Sequence, residues 1–464
     1  MQDITQHITK SNRSRSTEGT SATSSGFSDY ARAKEIDYPQ ESLLVILLFC
    51  GYVIIWYLQL GGRIESLGKI RFEFLYATFL SLVAILFSKK VDLKSPLLPY
   101  IIIYFLALII QIPFSQDFNT SWNVFLNRIV KFAFLSGFII VFVKSPRDLK
   151  FFLGAFLLAC GKMGEEGFLG TITGSLMWEN QGIMRLHGVT SLYRDPNSFT
   201  GMALGTLPFV WYLWPISKSY WKICLGVLGL FSVNIILHTG SRTGYVGFLT
   251  FLLFVLIQSE HRKKLVAGLI VTTILISPYI PRQYIERFQS TYTLKEKEGH
   301  SAETRIQILK DAWKIFVQHP FGVGVAAFPA VREKTFGRIQ DTHNLYLQVA
   351  TNLGIQGFIV FFLFVFKMLK MLRQLYLSFS SQINRLNSIQ KKDSYTQNHI
   401  ENLRLMEATT RAVFLFVLVR LTLGFFGMDL YEIYWWFAFG LTISLSNMHK
   451  IAEGIHLNSD QKCS

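Results

Sequence analysis

Long apolar stretches with almost no charged residue recur between residues 43 and 448 of the chain. The hydrocarbon core of a bilayer is about 30 Å thick, so a helix that crosses it needs about 20 apolar residues. Many of the stretches reach or approach that length, and the pattern therefore predicts an all-α polytopic membrane protein with about twelve transmembrane helices. The predicted spans cover residues 43–60, 72–88, 97–112, 124–143, 149–163, 198–215, 222–239, 243–258, 265–280, 343–369, 411–427 and 430–448.

Residues 1–42 differ from the rest, because they are rich in Ser, Thr, Gln and charged side chains and poor in large apolar ones. Such a segment buries too little apolar surface to offset the entropy of ordering, which predicts a disordered tail. The first apolar stretch begins near Leu43, far from Met1, and has no small-residue cleavage site. It is therefore predicted to be the first span rather than a signal peptide.

Half of the chain is hydrophobic and only 16% is charged, a composition typical of membrane proteins. The formal net charge of +16 would favour a nucleic-acid partner in a soluble protein. Here the Lys and Arg residues lie mainly in short loops between apolar stretches, where they orient the helices, so we exclude nucleic acid. The four cysteines lack the spacing of zinc ligands or of a disulfide pair, and the sequence predicts neither a metal site nor a disulfide.

The positively charged loops fall on alternate sides of the predicted spans, which makes them cytoplasmic and places both termini in the cytoplasm. Three cations, Arg63, Lys69 and Arg71, run against this rule. The predicted division of the chain is a cytoplasmic tail (1–42), nine spans (43–280) with an outer loop (164–197), a large outer loop (281–342), three spans (343–448) with a cytoplasmic loop (373–410), and a cytoplasmic tail (449–464).

The large outer loop contains an apolar pattern with helical spacing. The pattern begins after Ser301, a predicted N-cap, and ends at His319-Pro320. Its apolar members are Ile306, Leu309, Trp313, Phe316 and Val317. We therefore expect an amphipathic helix that lies on the membrane surface.

The string DTHNLYLQVATNLGIQG at 341–357 carries the most specific candidate chemistry. His343 and Asn344 lie where the large outer loop meets the next span, and an imidazole can accept and return a proton near neutral pH. Gly354 and Gly357 follow on one helix face and are expected to let another helix approach closely. Taken alone, a His that caps a membrane helix is the commoner explanation of this pattern.

Several cations share the predicted outer face with His343. The candidates are Arg242 in the turn TGSRTGY, Arg305 before the amphipathic pattern, Arg185 and Arg194 in RLHGVTSLYRDPNSF, and Arg128 with Lys131 on one helix face. Each alone is more often a solvated charge or a turn residue. Together they predict a site for a dianionic group such as a diphosphate, since the planar guanidinium matches phosphate oxygens. Arg420 lies inside an apolar span; its role stays open, and an ion pair with Asp429 or Glu432 is the simplest explanation.

The order of these motifs, R-x-x-G, D-P-N, S-R-T-G, E-T-R with H-P-F-G-V-G, and H-N followed nine residues later by G-x-x-G, resembles the O-antigen ligase and O-antigen polymerase C-terminal-domain superfamily. The resemblance implies a GT-C-like, metal-independent glycosyltransferase of the bacterial inner membrane, without a cofactor. Its donor would be a glycan on undecaprenyl diphosphate, used at a periplasmic active site. It also implies that His343 activates the acceptor hydroxyl and that Arg242 and Arg305 hold the diphosphate. Asn344 and the remaining cations are assigned to the substrate site because they lie on the same predicted outer side.

Three acceptors remain open for such an enzyme: lipid A-core, a growing polysaccharide and a protein hydroxyl. They correspond to an O-antigen ligase, a polysaccharide polymerase and a protein O-oligosaccharyltransferase. A secondary transporter is a distant alternative, and the sequence shows none of the inverted internal repeats that would favour it.

Overall fold

A computed structural model describes residues 38–88, 94–180, 182–276, 284–286, 301–389 and 393–460 of the chain. The fold is nearly all-α. The helices of the first half are α1 (Leu43–Leu58), α2 (Leu60–Arg63), α3 (Glu65–Lys69), α4 (Phe72–Phe87), α5 (Leu98–Ile110), α6 (Phe118–Val124), a π-helix (Phe125–Val130), α7 (Lys131–Phe142), α8 (Pro146–Thr173), α9 (Pro196–Leu213), α10 (Ser219–His238) and α11 (Arg242–Gln258). Those of the second half are α12 (Arg262–Ile276), α13 (Ser301–Gln318), α14 (Phe328–Phe336), α15 (Leu345–Asn387), α16 (Ser394–Leu423) and α17 (Ile433–Asp460).

Each predicted span overlaps one of these helices or, in one case, the continuous segment Phe118–Phe142. By length and composition, three helical segments in the described residues can cross a membrane: Phe118–Phe142, Ser219–His238 and Leu345–Asn387. Four further apolar helices are shorter, namely Leu43–Leu58, Phe72–Phe87, Leu98–Ile110 and Arg242–Gln258. The predicted class, a polytopic helical membrane protein, is confirmed at this level, while the count of twelve crossings stays a prediction.

A two-stranded antiparallel hairpin is the departure from an all-α fold. Strands β1 (Met177–Asn180) and β2 (Ile183–Leu186) pair so that Trp178 lies opposite Arg185. The hairpin lies in the predicted outer loop 164–197 and was not expected from the sequence. Its second strand carries one of the predicted site residues.

Several helices continue beyond the ends of their predicted spans, into segments predicted as an outer loop, a cytoplasmic loop and a tail. The predicted outer loop began at 164, but α8 continues to Thr173 because Gly164 and Gly167 are buried against Phe231 and Ile235 of α10. The predicted cytoplasmic loop 373–410 is mostly helical, and the tail predicted from 449 is helical through Asp460. In these polar stretches a buried apolar stripe at helical spacing maintains the helix, for example Leu372, Leu375, Phe379 and Ile383 of α15.

Arg63, one of the cations that run against the charge rule, has an ion-pair partner in the extended part of α8. Its Nη1 and Nη2 donate to the two carboxylate oxygens of Glu166 at 2.7 and 2.8 Å. A bidentate pair of this kind neutralises the cation locally. The exception to the charge pattern therefore has a structural explanation.

Helix α15 is broken at Gly354, which has φ 70° and ψ −173°. The loop 319–324 binds the broken segment through its backbone: Val323 N donates to Thr351 O at 2.9 Å, and Ile355 N donates to Pro320 O at 2.9 Å. A Cβ at Gly354 would lie 2.3 Å from the carbonyl carbon of Phe321. The expectation that the glycines of this motif admit a neighbouring helix is wrong, because at Gly354 a loop makes the close approach, and a Cβ at Gly357 would meet Leu353 of the same helix.

Candidate functional site

His343 lies in the turn that leads into α15, with φ 47° in the left-handed region. Asn344 caps the helix, since its Oδ1 accepts from Leu347 N at 3.0 Å and its Nδ2 donates to Phe425 O at 3.1 Å. Leu345 N donates to Gly424 O at 2.7 Å. The turn is therefore fixed against the end of α16, and a non-glycine residue held in this conformation is a feature found at functional sites.

The imidazole of His343 is half-buried and lies within electrostatic range of both cations and carboxylates. Burial lowers its pKa below the ordinary value of 6.5, and Arg305 lowers it further, while Asp341 and Asp195 act in the opposite direction. Within the described part of the chain, the ring makes no hydrogen bond. At neutral pH the imidazole is therefore uncharged and can accept a proton.

Asp341 lies two residues before His343 and is a second titratable group of the same turn. Its Oδ1 accepts from Thr342 N at 2.6 Å. Burial raises the pKa of the Asp341 carboxyl, and the nearby His343 and Arg128 oppose that rise. The site thus combines an acid and a base whose pKa values are both displaced, a combination that is common where protons are transferred.

Arg305 lies on α13, and this helix is anchored to the residues before His343 by a buried ion pair. Arg332 is fully buried and its Nε donates to Asp311 Oδ2 at 3.0 Å. Its Nη1 donates to Gln340 O at 3.3 Å. This pair was not predicted from the sequence, although the position of Asp311 next to Ile308 and Ala312 on one helix face is a signal of a buried, paired carboxylate.

Arg185 is 2% exposed and is held by protein oxygens from two other motifs. Its Nε donates to Thr239 O at 2.7 Å, and its Nη2 donates to Asn197 Oδ1 at 3.3 Å. Asn197 Oδ1 also accepts from Ser241 Oγ at 2.7 Å. A single amide therefore joins the three motifs R-x-x-G, D-P-N and S-R-T-G, a connection that spacing along the chain does not reveal.

No carboxylate of the described residues forms a salt bridge with Arg185. Burial lowers the pKa of its guanidinium; Asp195 opposes this shift, and the positive charges of Arg242 and Arg305 contribute to it. Arg242 and Arg305 are therefore close enough to Arg185 to affect the pKa of its guanidinium. Arg185 and Arg305 are 120 residues apart in the sequence (305 − 185), so only the fold brings them together.

Arg242 is the first residue of α11, directly after its cap. Ser241 Oγ accepts from Gly244 N at 3.1 Å. A Cβ at Gly244 would lie 2.2 Å from Thr200 Cγ2, so the small residue of S-R-T-G lets α11 approach α9 closely. Gly240 precedes the cap with φ 56°. The cap at Ser241, with Gly240 before Arg242 and Gly244 after it, therefore fixes the position of the Arg242 backbone.

The other predicted cations are placed differently. Arg128 lies in the π-helix, and its Nη1 forms an ion pair with Glu432 Oε1 at 2.6 Å. Its positive charge also lowers the pKa of Asp341, which opposes the effect of burial. Lys131 is exposed, and within the described residues no contact joins it to His343 or to the three arginines. Arg194 is also exposed, and its backbone oxygen accepts from His187 Nδ1 at 2.8 Å. The predicted shared face of Arg128 and Lys131 assumed an α-helix, whereas this turn is wider.

Arg420 has a structural ion pair with Asp429, with 3.4 Å between Nη1 and Oδ2. Its guanidinium lies 3.2 Å from the ring centroid of Tyr434, and its Nη2 donates to Gly201 O. Of the two predicted partners, Asp429 is the one observed, while Glu432 pairs with Arg128. In the ranges that the structure describes, no group of three His, Cys, Asp or Glu side chains is arranged to hold a metal ion.

A comparison with protein families finds a match within the chain. Residues 202–362 match the family described as O-antigen ligase. The matched segment contains Arg242, Arg305 and His343, whereas Arg185 and Asn197 lie just before it. No curated protein matches the chain. The predicted resemblance to the O-antigen ligase and O-antigen polymerase C-terminal-domain superfamily is confirmed over residues 202–362.

Proposed function

We propose that this protein transfers a glycan from undecaprenyl diphosphate to an acceptor at the periplasmic face of the bacterial inner membrane. The match of residues 202–362 to the O-antigen ligase family supports a glycosyltransferase of the ligase or polymerase type. The observation that carries the proposal is the environment of Arg185: a buried guanidinium without a carboxylate partner, beside Arg242 and Arg305. A buried charge without a counter-ion is costly, and an anionic substrate group would provide the missing charge.

The diphosphate of the donor suits this cluster. When the bond between the anomeric carbon and the phosphate oxygen breaks, the electron pair leaves with the diphosphate and negative charge develops there. Guanidinium groups that are already in place stabilise that charge without reorganisation, and one such donor typically contributes about 10²–10³-fold in rate. In this proposal Arg242 and Arg305 contact the diphosphate. Arg185, which is held by Thr239 O and Asn197 Oδ1, adds its positive charge to the cluster.

His343 is the proposed general base. The acceptor hydroxyl attacks the anomeric carbon from the face opposite the diphosphate, and its proton moves to the imidazole. The lowered pKa of His343 supports this role, because the ring is neutral at the pH at which it must accept the proton. Attack from the opposite face inverts the anomeric configuration, and Asp341 and Asp195 would stabilise the imidazolium that forms.

Transfer can be tested with the purified full chain, a glycan-linked undecaprenyl diphosphate and the candidate acceptors. We expect product with inverted anomeric configuration, and transfer that is slower by about 10²–10⁴-fold in the His343→Ala variant that inserts normally. Product with the donor's configuration would contradict direct displacement. Normal transfer by the His343 variant would remove the assignment of the base.

The acceptor is the part of the function that the site geometry leaves open. A ligase, a polysaccharide polymerase and a protein O-oligosaccharyltransferase share the donor and differ in the hydroxyl that attacks. Deletion of the gene, followed by mass analysis of lipopolysaccharide, polysaccharide and glycoproteins, distinguishes them. We expect one of the three products to shorten or disappear, and no change in any of them would contradict the proposed transfer.

A further inference from the structure

Helix α13 has two apolar faces, and the protein covers only one of them. Ile308, Ala312 and Ile315 are buried in a small core with Phe328 and Val331 of α14. The second face consists of four large apolar side chains, which we call the outer stripe. Its members and their exposed fractions are Ile306 (51%), Leu309 (38%), Trp313 (59%) and Val317 (60%).

The outer stripe is bordered by cations on both sides. With 3.6 residues per turn, Lys310 and Lys314 follow the stripe along one edge of the helix, and both are exposed. Arg305 lies on the opposite edge, between the stripe and the buried face. An apolar stripe with basic residues along its edges is the pattern of helices that lie in the headgroup region of a bilayer.

The stripe is continuous with exposed apolar surface on a helix that is long enough to cross a membrane. Phe321 follows α13 directly and is 73% exposed. Its carbonyl accepts from Gln111 Nε2 at 2.7 Å and from Gln356 Nε2 at 2.8 Å, which places it against α5 and α15. On α15, Ile355 and Ile359 are 51% and 52% exposed. The same apolar surface therefore passes from α13 to a candidate membrane span.

We propose that α13 lies in the outer leaflet of the bilayer, with the outer stripe among the acyl chains and with Lys310 and Lys314 at the phosphate groups. Two observations favour lipid over a protein partner. The cations border both edges of the stripe, which complements an anionic lipid surface, and the stripe continues onto a candidate span. Since Asp311 and Arg332 fix α13 to the turn before His343, the leaflet would set the depth of the whole site.

The inference can be tested by accessibility measurements on the full chain in vesicles of phosphatidylethanolamine and phosphatidylglycerol. A variant with Ser in place of Cys50, Cys160, Cys224 and Cys463 receives one nitroxide label, at Val317→Cys in the stripe or at Lys334→Cys on α14. Lys334 is an exposed polar position and serves as the matched control. We expect oxygen to reach the label at 317 more readily than a water-soluble nickel chelate, and the reverse order at 334.

Two results would overturn the proposal. Preferential access of the nickel chelate at 317 would place the stripe in water. Exclusion of both reagents from 317 would show that protein covers it, and spin–spin broadening that grows with protein density would identify a second copy of the chain. The label on an inactive His343→Ala background should behave in the same way, so failure of this inference is distinguishable from failure of the proposed function.

A second measurement keeps the test independent of the cysteine replacements. The unmodified protein is irradiated in vesicles that contain a phospholipid with a photoactivatable group in its acyl chain, and the labelled residues are located by mass spectrometry. We expect labels on residues 306–317 and none on the polar face of α14. Absence of label from 306–317, with label present on α15, would contradict the proposed position of the helix.

Discussion

Two arginines of this protein, Arg185 and Arg420, are equally buried, each 2% exposed, and yet their surroundings differ. Arg420 has Asp429 at 3.4 Å and the ring of Tyr434 beside it. Arg185 is held by a backbone carbonyl and an amide oxygen, and no carboxylate of the described residues pairs with it. One charge is neutralised inside the protein, whereas the other has no carboxylate partner among the described residues. We therefore propose that Arg420 is a structural arginine and Arg185 a binding one, a distinction that neither burial nor charge makes alone.

The neighbouring helices show the same difference. Two glycines of α9 make room for Arg420: a Cβ at Gly201 would lie 2.9 Å from its Nη1, and one at Gly205 would lie 3.3 Å from its Nη2. Arg420 is thus part of the contact between α9 and α16. Arg185 lies instead on a hairpin, within electrostatic range of Arg242 and Arg305. Accumulated positive charge of this kind is typical of a site for phosphate groups.

The largest effect is expected at His343, on the side of the molecule that contains Arg185 rather than Arg420. His343→Ala should reduce transfer by about 10²–10⁴-fold, because the general base is lost. His319→Ala is the matched control, since His319 ends α13 without a role in the proposed reaction. The measurement is the initial rate of glycan transfer by inserted protein. Equal loss in both variants would show a general effect on the loop rather than the loss of a base.

The Arg420 region should respond in stability. Asp429→Asn leaves a buried guanidinium without its carboxylate, which typically costs about 3–5 kcal/mol. Thermal unfolding in detergent should therefore occur at lower temperature than in the unaltered protein. By contrast, Arg185→Met removes a charge that has no carboxylate and loses the hydrogen bonds to Thr239 O and Asn197 Oδ1, at a cost of about 1–3 kcal/mol, so it should lower the unfolding temperature less than Asp429→Asn while donor use falls. If Arg185→Met destabilised the protein as strongly as Asp429→Asn, the distinction between the two arginines would be lost.

Lysine replacements sharpen the comparison by separating charge from geometry. Arg242→Ala or Arg305→Ala should each lower transfer by about 10²–10³-fold, as for other donors to a developing anion. Lys keeps the charge but loses the planar fork, so Arg242→Lys and Arg305→Lys should recover only part of the rate. The ratio of kcat to KM for the donor measures this recovery. Full activity of the Lys variants would show that long-range charge suffices.

The smallest effect is expected in the pH dependence. The pKa of His343 is lowered, so the neutral base persists as the pH falls, and transfer should be lost only below the ordinary value of about 6.5. Arg305 lowers this pKa and Asp341 raises it. Arg305→Gln should therefore move the acidic limb of the rate profile to higher pH, and Asp341→Asn should move it to lower pH. Shifts in the same direction for both variants would contradict the assignment of the limb to His343.

The apolar pattern predicted where helices occur, but it did not predict where they end. Each predicted span overlaps a helix, because a long uncharged stretch has few alternatives in a membrane. The extensions of α8 and α17 were missed, since polar composition was taken as the end of a helix. In α15 the polar segment still buries Leu375 and Phe379, and that burial depends on contact with α16 and α17.

The candidate site was predicted as a set of residues on one face of the membrane. Arg185, Arg242, Arg305 and His343 do lie within electrostatic range of one another in pairs. Lys131, which had the same predicted side and the same chemistry, has no such neighbour in the described residues. Charge patterning assigns a side of the membrane, and it carries no information about distance within that side.

The amino-acid sequence by itself determined the helical membrane class, the resemblance to the O-antigen ligase family and the candidate residues for the chemistry, because apolar length and motif order are local properties of the chain. Only the tertiary structure decided which arginine is neutralised, where α15 breaks and which face of α13 is covered. Those features depend on groups far apart in sequence, such as Arg185 and Thr239, or Gly354 and Phe321. The free energy of a buried charge or of an apolar face is set by the groups that fold against it.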